Sequence, residues 1–175
     1  QISMNLWSCG SLTNVDALSG LTNLTSLDLN LCSSLTNVDA LSGLTKLTSL
    51  NLNRCSSLLN LNALNRLLNL RKLELGEIRS GLHKDPKPLD LMPLDGLINL
   101  RKLNLEFNAT ISSLDVLTRF RNLSELRLIN CENITNLDFL NGITNLEILI
   151  LSGCKSLENT DGLSESKNIG LLMLN

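Results

Sequence analysis

One recurring position organises this chain. All five cysteines occupy it: Cys9, Cys32, Cys55, Cys131 and Cys154. The step between neighbouring copies is 23 residues, except for one step of 30 between Ile78 and Asn108, which fill the same position. A unit that returns at a fixed spacing of this length predicts a solenoid, in which each copy packs on the next.

The leucines keep the same spacing as the cysteines. Leu24, Leu27 and Leu29 precede Cys32, and apolar residues stand at the same three places in every complete unit. The sequence contains eight such units, with the first and the last incomplete, which predicts one domain over residues 1–175. The repeat also explains the composition, because leucine fills 46 of the 175 positions and aromatic residues only 2%.

The spacing within a unit predicts its local structure. Leu27 and Leu29 alternate with Ser26 and Asp28, so one pair points inward and the other outward from a strand. Copies of one strand stack as a parallel sheet, and apolar residues on the return segment close the core. An aspartate stands at the start of several returns, where we expect it to cap a short 3₁₀ or helical turn: Asp16, Asp39 and Asp161.

The pattern L-x-x-L-x-L-x-x-(C/N)-x-x-L resembles the leucine-rich repeat. The stretch from Leu21 to Gly43 is similar to the short repeats of internalins. Cysteine replaces their usual asparagine, as in the repeats of F-box adaptors and plant resistance proteins. The resemblance implies an α/β solenoid: an arc, or horseshoe segment, with a parallel β-sheet on the concave face and short 3₁₀, helical or irregular returns on the convex face.

The cysteine position favours a structural role over chemistry. Side chains in one column point the same way, which does not suit a disulfide, and they do not converge on a metal ion. We expect them to satisfy backbone groups as a ladder: Cys9, Cys32, Cys55, Asn108, Cys131 and Cys154. We expect no metal and no cofactor. Unoxidised cysteines favour the cytoplasm, or a host cytoplasm for a secreted bacterial effector, and a cell-surface location stays open.

The outward strand positions and the residues directly after them form the predicted concave face. They are small and polar in the early units, charged in the middle units and apolar in the late ones. Aromatic residues and arginine often anchor interfaces. The candidate partner-binding residues on this face are Trp7, Arg54, Arg71, Lys72, Glu74, Arg101, Lys102, Glu106, Phe107, Arg127, Ile129 and Ile150. The alternative is a solvated face whose residues vary between repeats and bind no partner.

One unit is seven residues too long, with the excess near residues 83–89. Its prolines and charges predict an exposed loop. The loop either protrudes toward a partner, through His83, Lys84 and Lys87, or is an insertion that a solenoid tolerates.

Charge and motifs exclude several functions. The net charge is −2, without the basic stripe that nucleic acid requires, and no apolar run is long enough to cross a membrane. The sequence carries no recognisable hydrolase, metalloprotease or nucleotide-binding motif, so we do not expect an enzyme.

These observations predict a module that recognises a protein partner of unknown identity, and the resemblance to leucine-rich repeats implies a protein of the bacterial surface, effector or adaptor type. The alternative is a structural spacer or regulatory segment of a larger multidomain protein. We expect a monomer, unless the uncapped ends of the solenoid pair.

Overall fold

The structure is a computed structural model, which describes residues 1–78, 87–109 and 111–174. In this part of the chain, eight strands form one parallel sheet in sequence order, which confirms the predicted parallel sheet. The strands are β1 (Ser3–Asn5), β2 (Ser26–Asp28), β3 (Ser49–Asn51), β4 (Lys72–Glu74), β5 (Lys102–Asn104), β6 (Glu125–Arg127), β7 (Ile148–Ile150) and β8 (Leu171–Met173).

The pairing register follows the repeat. Leu27 pairs with Leu50, and Leu73 pairs with Leu103 across the longer step, so equivalent residues of neighbouring units stand side by side. Every outward position therefore becomes a straight row of side chains across the sheet. The concave face therefore consists of parallel rows of equivalent side chains.

The core lies between the sheet and the return segments. Leu27 and Leu29 are fully buried from the strand side, and Leu35, Val38 and Leu41 close the core from the return, as predicted. Two of the three phenylalanines also pack into the returns, where Phe120 and Phe139 are buried. Phe107 is the exception, since it is 45% exposed and lies just beyond the carboxyl end of β5.

Short 3₁₀ turns lie opposite the strands, one in each return. They are η1 (Asp16–Leu18), η2 (Asp39–Gly43), η3 (Asn62–Arg66), η4 (Met92–Leu94), η5 (Asp115–Arg119), η6 (Asp138–Leu140) and η7 (Asp161–Leu163). None of them carries a side-chain hydrogen bond from its N-cap residue. A return without a long helix matches the short 23-residue unit.

The prediction that aspartates cap these turns is wrong. Asp16 is the first residue of η1, and its backbone N–H donates to Oδ1 of Asn14 at 3.2 Å. Asp39 and Asp161 occupy the same place in η2 and η7 and receive the same support. An asparagine two residues earlier thus starts each turn as an Asx turn. The aspartate carboxylates remain in the first turn, where the positive end of the peptide dipoles favours them.

A second row of asparagines joins successive units along the returns. Nδ2 of Asn99 donates to the backbone carbonyl of Leu68 at 2.9 Å, and Nδ2 of Asn122 donates to that of Ile98 at 3.1 Å. The same contact recurs at Asn69, Asn145 and Asn168. Much of the asparagine content therefore serves hydrogen bonds between units rather than turns alone.

The cysteine row has the geometry of a packing ladder. The thiol of Cys55 donates to the backbone carbonyl of Leu29 in the preceding unit, with sulfur and oxygen 3.2 Å apart. Equivalent bonds are formed by Cys32, Cys131 and Cys154. All five cysteines are free thiols, and Cys9 in the first unit is exposed. Burial raises the pKa of Cys55 and of Cys131 to about 12, so these thiols stay protonated.

The longer unit returns to the regular pattern earlier than predicted. Leu89 is buried and forms a parallel bridge with Ile111, so it belongs to the repeated core rather than to an exposed loop. Its side chain fills the apolar place that Ile111 fills in the next unit. Lys87 is exposed just before this point. The candidate residues His83 and Lys84 lie outside the described residues.

Among the described residues, no helix has the length and apolar character needed to cross a membrane.

Candidate functional site: the concave face

The concave face changes character along the sheet. Its strand positions are small and polar from β1 to β3, charged from β4 to β6 and apolar in β7 and β8. Lys72, Lys102 and Phe107 are exposed, whereas Glu74 and Glu106 are half-buried between neighbouring strands. Of these regions, the exposed apolar end at β8 is the one that an ordinary solvated surface does not explain.

The charged residues of the middle units pair with one another. Lys102 Nζ lies 2.8 Å from a carboxylate oxygen of Glu125, and Lys72 Nζ lies 3.1 Å from one of Glu74. Glu125 raises the pKa of Lys102 by its hydrogen bond and its charge. Such exposed pairs contribute at most about 1 kcal/mol each to stability. Their effect is to hold the side chains in fixed positions.

Two further pairs lie toward the carboxyl ends of the strands. Arg127 Nε lies 2.8 Å from an oxygen of Glu106, and Arg54 Nε lies 2.8 Å from an oxygen of Glu77. Each pair links two neighbouring units, since its members come from successive repeats. The candidates Glu106 and Arg127 are thereby paired with each other, and the candidate Arg54 is paired with Glu77, which was not among the candidates.

Arg71 and Arg101 differ from the other cations of the concave face, which are ion-paired. Both are exposed, at the residue before β4 and before β5, and neither forms an ion pair with a carboxylate of the described residues. The next residues, Lys72 and Lys102, stand directly opposite each other in the sheet. Like charges in facing positions destabilise a sheet. The charges of Lys72 and Lys102 are offset by Glu74 and Glu125, so Arg71 and Arg101 are the cations of this edge without a paired carboxylate among the described residues.

A row of residues in the left-handed backbone conformation follows the strands. It comprises Ser8, Leu31, Arg54, Glu77, Phe107, Asn130 and Gly153, and we call it the rim. The N–H of each of the first six rim residues donates to a carbonyl of the next unit, as from Phe107 to Ile129 at 2.7 Å. This bond holds even large side chains in a conformation that costs about 1 kcal/mol or more for residues other than glycine.

The rim explains where the two candidate aromatic residues lie. Phe107 belongs to the rim and is 45% exposed, while Trp7 stands one residue before the rim residue Ser8 and is 58% exposed. Both side chains lie at the carboxyl ends of strands, so neither is part of the buried core. They are the exposed aromatic residues of the described chain.

The apolar candidates of the late units differ in how much surface they offer. Ile129 is half-buried, and Ile150 is only 7% exposed because β6 and β8 flank its strand. Leu171 and Met173 on β8 are 45% and 41% exposed. Ile150 therefore presents little area for a partner in this arrangement, and the neighbouring residues of β8 present more.

Sequence reasoning did not single out the polar residues that support the charged ones. Nδ2 of Asn104 donates to Glu74 at 2.9 Å, and Nδ2 of Asn53 reaches the same carboxylate oxygen at 3.4 Å. Asn104 is buried, unlike most outward positions. Gly76 is also part of this arrangement, since its N–H donates to Oδ1 of Asn53 at 2.6 Å. The available signal was Gly76 itself, which interrupts a row of larger side chains.

The described residues include no group of three or more histidine, cysteine, aspartate or glutamate side chains placed to hold a metal ion. On the concave face, ion pairs engage Arg54, Lys72, Lys102 and Arg127.

Comparisons with known proteins identify the fold. No protein-family model matches the chain, and no curated protein matches it. Among solved structures it resembles internalin C2 of Listeria monocytogenes, with a TM-score of 0.71 and 23% identity over 99% of this chain and 80% of that chain.

Two further solved structures support the same conclusion. The internalin inlF of Listeria monocytogenes has a TM-score of 0.58 and 19% identity, covering 100% of this chain and 61% of that chain. A leucine-rich-repeat protein of Leptospira interrogans has a TM-score of 0.57 and 20% identity, covering 98% of this chain and 54% of that one. The predicted leucine-rich-repeat arc is therefore confirmed as the fold.

Proposed function

We propose that this leucine-rich-repeat chain is a recognition module whose concave face binds a protein partner. Solenoids of repeated units generally use extended concave surfaces in this way. The observation that carries the proposal is Phe107. Its large apolar side chain is 45% exposed and is held in a left-handed backbone conformation by the N–H bond to Ile129.

The surroundings of Phe107 suit an interface. Charged residues paired across neighbouring units, such as Glu106 with Arg127, surround it with a polar and pre-arranged surface. A surface that is already ordered loses little conformational entropy when it binds. Aromatic and arginine side chains in such settings are the residues that most often dominate binding energy.

The edge at Arg71 and Arg101 adds specificity. Both guanidinium groups are exposed and stand on adjacent strand starts. Charges at the border of an interface raise the association rate and discriminate against like-charged partners. We propose that they face acidic groups of the partner.

The proposal includes no catalytic activity and no cofactor. The buried free thiols favour a reducing compartment, so we propose the cytoplasm of its source cell or of a host cell, with a cell-surface location as the alternative. A bacterial surface or effector protein is the wider setting that this proposal includes. An adaptor that selects substrates for another domain would use the same face.

The test compares two triple variants in affinity capture. One removes the concave-face groups by Arg71→Ser, Arg101→Ser and Phe107→Asn. Its matched control changes exposed residues of the returns: Leu68→Ser, Ile98→Ser and Arg121→Asn. Captured proteins are quantified by mass spectrometry, with extracts of the source organism and of cells it contacts.

We expect the wild type and the return variant to capture the same proteins, and the concave variant to lose them. Both variants must retain the circular dichroism spectrum of the wild type. The proposal would be wrong if the return variant lost the partner while the concave variant still captured it in full.

A further inference from the structure

The outward residues of the last two described strands are all apolar. β7 carries Ile148 and Ile150, and β8 carries Leu171 and Met173. Pairing sets Ile148 beside Leu171 and Ile150 beside Met173, so the four side chains form a two-by-two block on the concave face, which we call the apolar patch. The same places in β2 and β3 hold polar residues: Ser26, Asp28, Ser49 and Asn51.

Part of the apolar patch is open to a partner. Leu171 is 45% exposed and Met173 is 41% exposed, whereas Ile150 is nearly buried. Leu172 and Leu174 are exposed as well, but they take the inward places of the repeat, so their exposed area belongs to the core side of the sheet. Outward side chains stand roughly perpendicular to a sheet, so a unit packed beside β8 would leave the patch facing the concave surface.

The charges on β6 next to the patch are neutralised, whereas the charge at the start of β7 is not. Glu125 lies 2.8 Å from Lys102 Nζ, and Arg127 Nε lies 2.8 Å from Glu106. Glu147, directly before β7, is exposed and forms no ion pair with the described residues. Glu125 is the main cause of the raised pKa of Lys102, and Glu147 contributes least to it. A negative charge without a paired cation therefore borders the patch.

A cavity of about 560 Å³ opens beside the amino ends of β5, β6 and β7. Its lining consists of Arg101, Asn122, Ser124, Asn145, Glu147 and Asn168. Arg101 and Glu147 stand two strands apart, about 10 Å, so the cavity has a positive end at β5 and a negative end at β7. Because Ile148 follows Glu147 directly, the negative end adjoins the apolar patch.

The wall of the negative end offers oxygen atoms to a ligand. Nδ2 of Asn145 and Nδ2 of Asn168 each donate to a carbonyl of the preceding unit, at 2.9 and 2.8 Å. Oγ of Ser124 donates its proton to the carbonyl of Arg101 at 3.1 Å. These bonds hold the side chains in place and leave their oxygens, with the carboxylate of Glu147, as acceptors. Such a wall suits a cationic donor.

We propose that the apolar patch and the negative end of the cavity together bind one segment of the protein partner, in which a lysine or arginine accompanies an apolar residue. The apolar side chain packs on Leu171 and Met173, and the basic group donates to the carboxylate of Glu147. This inference rests on the proposed function, since it assigns a residue pattern of the partner to one place on the concave face.

The geometry sets the spacing and direction of the segment. Leu171 stands one strand and one residue away from Glu147, about 6 Å, which an extended chain spans in about two residues. The positive charge of Arg101 repels a basic group from the other end of the cavity. A basic residue about two positions from an apolar one is therefore the pattern that fits.

The probe is a library of random dodecapeptides displayed on phage, so the test does not depend on finding the partner. It is selected on the wild type after depletion on the double variant Leu171→Ser and Met173→Ser, which removes peptides that bind elsewhere. We expect the enriched peptides to share an apolar residue with lysine or arginine about two positions away. The same selection on Glu147→Lys should enrich acidic residues at that position instead.

Matched variants measure the contribution of each group, with one enriched peptide labelled with fluorescein and followed by fluorescence anisotropy. Glu147→Gln should weaken the peptide about tenfold, the magnitude of one charge-assisted hydrogen bond. Glu158→Gln removes another exposed carboxylate, on a return, and should leave the affinity unchanged. Ile148→Thr keeps the branched shape and replaces the double variant in the depletion should the latter lose the circular dichroism spectrum of the wild type.

No enrichment after depletion, enriched peptides without a basic residue, or equal affinity of the wild type and Glu147→Gln would overturn the inference. Sedimentation of the wild type and the double variant tests another occupant. A concentration-dependent dimer that the double variant abolishes would show that a second copy covers the patch, which overturns the inference as well.

Its failure is distinct from failure of the proposed function. The patch is wrong and the concave face right if the double variant keeps full partner capture while the triple concave variant loses it. Peptide binding at the patch with partner capture through the returns would show the reverse.

Discussion

The thiol of Cys131 donates a hydrogen bond to the backbone carbonyl of Leu105 in the preceding repeat, with sulfur and oxygen 3.2 Å apart. The same carbonyl accepts a bond from Nδ2 of Asn108 at 2.9 Å, and the second proton of that amide group reaches the carbonyl of Leu75, also at 2.9 Å. One row of side chains thus satisfies the carbonyls at the strand ends across successive units. Cysteine and asparagine are alternatives at this place because both are small and both donate.

The shared acceptor predicts an order of stabilities. Asn108→Ala removes the side-chain hydrogen bond to the carbonyl of Leu75 and one of the two side-chain hydrogen bonds to the carbonyl of Leu105. It should lower the free energy of unfolding by about 1–3 kcal/mol. Cys131→Ala should lower it by less, because Leu105 keeps its bond from Asn108. Urea unfolding followed by circular dichroism measures both. A greater loss for Cys131→Ala would contradict this description of the ladder.

Alkaline pH should destabilise the fold through the buried thiols. In the unfolded chain a cysteine has a pKa near 9.0, whereas burial raises the pKa of Cys55 and Cys131 to about 12. Between these values the unfolded state loses protons that the folded state keeps, so stability falls as pH rises from 9 to about 12.

The double variant Cys55→Ala and Cys131→Ala should show a shallower fall over that range in urea unfolding at stepped pH. Cys9→Ala removes an exposed thiol and is the matched control. An identical slope in the wild type and the double variant would refute this source of the pH dependence.

The rim predicts a conflict between stability and binding at Phe107. Asparagine adopts the left-handed conformation more readily than phenylalanine, so Phe107→Asn should leave stability unchanged or raise it by up to about 1 kcal/mol. The same change should abolish partner capture, since the exposed ring is lost. Thermal unfolding and capture are measured on one preparation, and a marked loss of stability would show that the ring serves the fold.

Alanine substitution should have opposite effects on stability at two glycines of the returns. A Cβ at Gly162 would collide with the backbone carbonyl of Leu137 in the preceding unit, so Gly162→Ala should destabilise the protein by about 1–3 kcal/mol. A Cβ at Gly20 would meet no atom within 4 Å, and its φ is not positive. Gly20→Ala should therefore be neutral or stabilising by up to about 1 kcal/mol. Equal effects in thermal unfolding would contradict the close packing at Gly162.

The repeat made the sheet predictable. Because the spacing of Leu27 and Leu29 returns every 23 residues, their inward direction, the parallel pairing and the ladder position of Cys32 all follow from one alignment of the sequence with itself. The same reasoning could not place Leu89, because the unit that contains it has extra residues whose position in the return the spacing alone does not fix.

The site was less predictable, for physical reasons. Position in the repeat identified Lys102 and Glu106 as outward, but their pairing with Glu125 and Arg127 depends on side-chain rotamers and not on spacing. The left-handed conformation of Phe107 has no local signal, since it is imposed by a hydrogen bond to the next unit. Asp16 was misread as a cap because Asn14, two residues earlier, takes that role.

Photo-cross-linking tests the central claim, binding through the concave face, most directly. A benzophenone side chain is placed at position 107 on the rim, and in a second protein at position 98 on an exposed return. After irradiation in extract, we expect a covalent adduct with the captured protein from position 107 and none from position 98. An adduct from position 98 alone would contradict the claim.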